Sequence, residues 1–75
     1  MAKPITVAVY KSRLVMDQHV AKISLEKILK NSGLKSLSVE SGGYSDFYIS
    51  CSSRYTAKRA VNAINKKEFY CAKIV

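Results

Sequence analysis

Tyr44-Ser-Asp-Phe-Tyr-Ile-Ser-Cys-Ser-Ser53 runs into Arg54-Tyr-Thr-Ala-Lys-Arg-Ala-Val-Asn-Ala-Ile-Asn65 and then, after a short connection, into Phe69-Tyr-Cys-Ala-Lys-Ile-Val75. In the first stretch Phe47, Ile49 and Cys51 alternate with Asp46, Tyr48 and Ser50, the period of a strand with one buried face. In the second, Ala57, Ala60, Val61 and Ile64 recur at helical spacing, and Ser52 or Ser53 stands where an N-cap belongs. The third, Phe69 to Val75, reads as a strand again. Strand, helix and strand here are preceded by the same order upstream, and together they predict a single α+β domain over residues 1–75. It is a βαββαβ two-layer sandwich, with a four-stranded antiparallel sheet and both helices on one of its faces.

Upstream, Pro4 can open a strand but not sit inside one. Ile5-Thr-Val-Ala-Val-Tyr10 then places Ile5, Val7 and Val9 on one side. Residues 11–16 read equally as strand, loop or helix. Ala21, Leu25, Ile28 and Leu29 form one helical stripe, and the helix begins at Asp17 or at Ser24, both of them capping residue types. Gly33 suits the left-handed position after a helix end. Leu37 and Val39 alternate with Ser36, Ser38 and Glu40 as a short second strand, and Ser41-Gly42-Gly43 is the turn of a hairpin. The face away from the helices then carries Thr6, Ala8, Ser36, Ser38, Asp46, Tyr48 and Ser50, polar enough to meet water.

Size and composition narrow the function. A chain of 75 residues buries only about 60–65% of its unfolded surface and has no room for a deep enclosed pocket. Hydrophobic content of 48% with 24% charged residues is that of a folded protein. No apolar run approaches the ~20 residues that cross a bilayer, and the N-terminus lacks a signal-peptide core, so the chain is expected to be cytosolic. Cys51 and Cys71 have neither disulfide-scaffold nor metal-site spacing; both are expected to be buried or half-buried small apolar residues. Thirteen Lys/Arg against five Asp/Glu give a formal charge of +8, an electrostatic bias toward nucleic acid or an acidic protein. His19 stands alone, the acids are scattered, and no nucleophile sits beside a base. No enzyme, cofactor or metal is expected.

Several of these positions resemble an RNA-recognition motif, a ferredoxin-like βαββαβ fold. Leu25-x-x-Ile28-Leu29-x-x-x-Gly33 is similar to the family's first helix and the glycine after it, and Leu37-x-Val39 to its second strand. Ser52, Ala57, Ala60 and Ile64 are similar to its second helix, and Phe69 to Ile74 to the approach to its fourth strand. The resemblance implies a sheet face on which two or three aromatics stack bases. The family's β3 octapeptide falls on Tyr44 to Cys51: its second exposed aromatic is Tyr48, its other is Asp46, its basic first position is Tyr44, and the β1 aromatic is Thr6. It also implies a strand order 4-1-3-2, which keeps Cys51 and Cys71 apart and unbonded.

The candidate nucleic-acid-binding residues are accordingly Tyr44 and Tyr48, which either stack bases or pair across the hairpin, and the cations Arg54, Lys58, Arg59, Lys66, Lys67 and Lys73. RNA or another single strand is favoured as partner, since nothing reads as a major-groove recognition helix. The alternative is a small protein-binding modulator or inhibitor of an acidic partner protein. Arg59 is expected to point to solvent, and Ala60 to lie against the sheet.

Overall fold

A computed structural model describes residues 4–14, 17–42 and 45–75. Six elements follow in the order β1 (Ile5–Lys11), α1 (Gln18–Asn31), β2 (Val39–Gly42), β3 (Ser45–Cys51), α2 (Arg54–Asn65) and β4 (Tyr70–Ile74). The strands form one antiparallel sheet ordered β2-β3-β1-β4, so the βαββαβ sandwich is as the sequence predicts. Val7, Val9, Val39, Phe47, Ile49, Cys51 and Ala72 from the sheet meet Ala21, Leu25 and Leu29 of α1 and Ala57, Ala60 and Ile64 of α2 in one core. The small alanines of α2 let its backbone approach the sheet closely, while Phe47, the largest fully buried side chain, fills the space beneath.

The helix ends are set by local chemistry. Asp17, not Ser24, caps α1: its extended backbone turns the carboxylate back to accept the His19 and Val20 N–H groups at 2.9 and 3.2 Å. At the other end Gly33 takes φ 77°, the Gly33 N–H bonds the Lys30 carbonyl, and the Leu34 N–H bonds that of Leu29 at 2.8 Å. This is a Schellman closure, and Leu34 is buried as its apolar lock. Ser53, not Ser52, caps α2, accepting from the Thr56 N–H at 3.2 Å.

Three expectations shift. The second strand begins at Val39 rather than near Leu37, because Leu34 to Leu37 closes a turn through the Leu37 N–H and Leu34 carbonyl at 3.1 Å. Ser36 and Ser38 therefore precede the strand instead of lining the open face. Ser41 and Gly42, expected in the hairpin turn, still belong to β2, and Gly43 lies outside the described residues. Lys11 completes β1 and residues 12–14 turn away, while 15 and 16 lie outside the described residues. Cys51 is buried on the core face, but Cys71 is exposed, because its register partner is Tyr10 on the open face. The two thiols thus sit on opposite faces, on strands separated by β1, and both are free.

Two side chains finish the sheet. Ser41 pairs with Phe47 but Gly42 with Ser45, leaving Asp46 as the extra residue of a bulge. Its carboxylate accepts the Lys11 N–H at 2.9 Å, extending the β1–β3 ladder beyond its last backbone pair. At the outer edge of β4, Asn65 accepts the Ala72 N–H at 2.7 Å and donates to the Ala72 carbonyl at 3.0 Å. A helix-terminal amide thereby takes the place of a fifth strand.

Candidate nucleic-acid interface

The face away from the helices is built by strand parity. Thr6, Ala8 and Tyr10 of β1 share it with Tyr48 and Ser50 of β3, Glu40 of β2, and Cys71 and Lys73 of β4, as the registers Glu40–Tyr48, Ala8–Tyr48, Ala8–Lys73 and Tyr10–Cys71 require. Ala8 lies at its centre and is only 5% exposed although it belongs to no helix-covered layer. Its cross-strand neighbours are Tyr48 on one side and Lys73 on the other, with Tyr10 two residues along its own strand. A trough of ≈ 500 Å³ on this face is lined by Thr6, Ala8, Tyr10, Tyr48 and Lys73 together with Gly42, Ser45, Ile74 and Val75.

Lys73 places its ammonium 5.5 Å from the centre of the Tyr10 ring, within cation–π range. The ring is thus flanked by a charge that also stands ready for an anion. Glu40, paired across from Tyr48, makes the β2 side of the face the less favourable one for phosphate. The Asp46 carboxylate is engaged by the Lys11 N–H.

Of the residues singled out from sequence, Tyr48 and Lys73 are brought together here, and Tyr44 lies outside the described residues. Arg54, Lys58, Lys66 and Lys67 are exposed on the helix layer, across the sheet from Tyr48. Nearness in sequence to β3 does not put them on its open face.

Arg59 has a different task. Its guanidinium donates to the Ser32 carbonyl at 2.7 Å, lies 5.8 Å from the Tyr55 ring centre and passes over Gly33, where a Cβ would meet it at 3.5 Å. It is exposed, as the sequence implies, and its guanidinium also ties α2 to the end of α1. Tyr10 was missed among the site residues, although it has the same parity as Thr6 and Ala8 and was readable from that alternation alone.

Burial raises the Cys51 thiol pKa above its ordinary value, so this sulfur is held as an inert core group. Among the described residues no group of three or more His, Cys, Asp and Glu is placed to hold a metal ion, and no helix is long and apolar enough to cross a membrane. Compared with known families, curated proteins and solved structures, the chain matches none.

Proposed function

We propose that this is a non-catalytic nucleic-acid-binding domain that takes a single strand, RNA foremost, across its open sheet face. The observation that carries the reading is the trough lined by Tyr10, Tyr48 and Lys73, where Tyr48 and Lys73 flank Ala8 on the two neighbouring strands and Tyr10 follows it along β1. Two rings on adjacent strands can each take the face of a base. Aromatic stacking of this kind contributes about 1–3 kcal/mol per base. The β1–β4 side, with Lys73, suits the phosphates, and Glu40 turns them away from β2. The overall charge of +8 supplies long-range attraction. The element order and sheet are those expected of an RNA-recognition-like domain, with Tyr10 standing in for the aromatic that Thr6 and Asp46 do not provide.

The test is fluorescence anisotropy with labelled single-stranded RNA and DNA of mixed sequence over a salt series. Binding should weaken with a slope of roughly −0.7 in log–log form per phosphate contacted. Tyr10→Ala and Tyr48→Ala should each lower affinity by about fivefold or more without altering the salt slope, whereas Lys73→Ala should flatten it. No binding to either nucleic acid at low salt, or binding indifferent to both tyrosines, would sink the reading.

A further inference from the structure

The helix side of the molecule carries another concave surface that the sheet-face reading leaves unused. A groove of ≈ 560 Å³ runs between α1 and the segment joining α2 to β4. Ile28, Ala63, Phe69 and Tyr70 line it, and Lys27, Lys66 and Lys67 stand around it against a single acid, Glu68. Phe69 leaves 42% of its surface in water and is not among the side chains that pack against the core, so its ring is available at no cost to the fold.

Several backbone carbonyls at this end of the helices are engaged. Those of Ile28, Leu29 and Lys30 accept from Ser32, Gly33 and Leu34, the Ser32 carbonyl accepts from Arg59, and that of Ile64 accepts from Lys67. The three lysines outweigh Glu68 and offset the negative ends of the helix dipoles.

We propose that this groove docks an acidic peptide segment of another protein, one that seats one or two apolar side chains against Ile28 and Phe69 while its carboxylates meet Lys27, Lys66 and Lys67. The chemistry selects this occupant over the others. A further copy of the chain would bring another +8 against a basic rim. A nucleic-acid strand would satisfy the lysines and could stack on Phe69, but it offers no aliphatic side chain for Ile28 and Ala63. An acidic amphipathic segment satisfies both, in the helix- or strand-in-groove manner of many peptide sites. Lys27, Ile28 and the α2 end lie across the sheet from Tyr48, while Phe69 and Tyr70 also border a smaller hollow with Tyr10, so Tyr48 is the residue that separates this groove from the sheet-face proposal.

The test uses isotope-labelled full-length protein and a synthetic peptide of about twelve residues, rich in Asp and Glu with Leu and Phe one helical turn apart. A control peptide has the same acids but Ala at both anchors. The expected result is a set of amide shifts at Lys27, Ile28 and residues 66–70, with Tyr48 unmoved. Affinity should fall about tenfold for the control peptide and similarly for Phe69→Ala. The pair Lys66→Gln and Lys67→Gln, which removes both charges without placing acids at the end of α2, should weaken binding about tenfold or more with only a small change in the thermal unfolding midpoint. Three results would each overturn it: no binding at low salt, shifts on the sheet face instead, or equal affinity for the control peptide. Displacement of the peptide from the groove by single-stranded RNA that shifts the same amides would assign the groove to nucleic acid and also refute it.

Discussion

Replacing Asn65 by alanine removes both hydrogen bonds that close the outer edge of β4. The ladder bonds from Ser12 to Phe69 and from Val75 to Thr6 fix the phase of the strand: residues 69, 71, 73 and 75 direct their backbone groups at β1, and Ala72 directs its own outward. The bonds at 2.7 and 3.0 Å to Asn65 are what satisfy them. Each bond is worth a net ~0.5–1.5 kcal/mol. Alanine recovers up to about 0.5 kcal/mol of helix propensity at the last residue of α2, and water can reach the freed groups at an edge. The balance is a loss of about 1.5 kcal/mol, which in a domain of this size lowers the melting temperature by roughly 6–12 °C.

Urea unfolding followed by circular dichroism measures the energy, and hydrogen exchange identifies its source. The Ala72 amide should exchange slowly in the parent and approach edge-strand rates in Asn65→Ala, with the Val9 and Ile49 amides protected in both. Asn65→Asp adds a check of sign. Its ionised carboxylate can accept the Ala72 N–H but repels the carbonyl, whereas the protonated acid reproduces the amide's donor and acceptor. The folded pKa is therefore raised above the unfolded value of about 3.9. This contribution is fully present below the unfolded pKa and is lost as pH rises through the folded one. Asn65→Asp should lag the parent most at neutral pH and close the gap on acidification. An Asn65→Ala protein within 0.5 kcal/mol of the parent, in about the range of an ordinary surface change, with the Ala72 amide still protected, would refute the reasoning.

Arg59→Ala should cost about 0.5–1.5 kcal/mol in urea unfolding, since it frees the Ser32 carbonyl at the end of α1; a change near zero would show that this exposed contact adds nothing to stability. Ala60→Leu should cost on the order of 1–3 kcal/mol in the same assay, because Ala60 is fully buried. A thiol reagent should label Cys71 at once and Cys51 only as fast as the protein unfolds. The raised Cys51 pKa adds stability that is intact below the unfolded thiol pKa and fades as pH rises through the folded one, so alkaline unfolding should expose Cys51 to labelling.

What could be read from sequence was what short-range chemistry decides. The stripe of Ala21, Leu25 and Leu29, the Asp17 cap, the glycine at 33 and the alternation of Phe47, Ile49 and Cys51 each depend on neighbours within a turn or two, and each is found where the residues imply. The β2 boundary slipped because Leu34-x-x-Leu37 and Leu37-x-Val39 overlap. Leu34-x-x-Leu37 is a turn with two inward leucines, Leu37-x-Val39 imitates the alternation of a strand, and only the Schellman closure at Leu34 decides between them. The site was half legible. Tyr48 and Lys73 come to one face, but the α2 cations next to β3 in sequence lie across the sheet from it. Arg59 and Asn65 resemble solvated helix residues until Ser32 and Ala72, 27 and 7 residues away, are brought beside them, and no local pattern encodes that.

The strand order has a consequence for how the molecule comes together. β1 is a central strand, yet both of its neighbours, β3 and β4, come from the other half of the chain, as the pairs Ile5–Cys51 and Val7–Ile74 show. β1 and β2 never pair, because β3 lies between them. The first half thus contains two strands and a helix but no sheet. Only the β2–β3 hairpin can zip up locally, and each remaining pairing must first close a long loop. A polypeptide threaded in this way has no stable partial version. Cut between β2 and β3, neither piece has a floor for its helix, and the two would have to recombine before either could hold its shape.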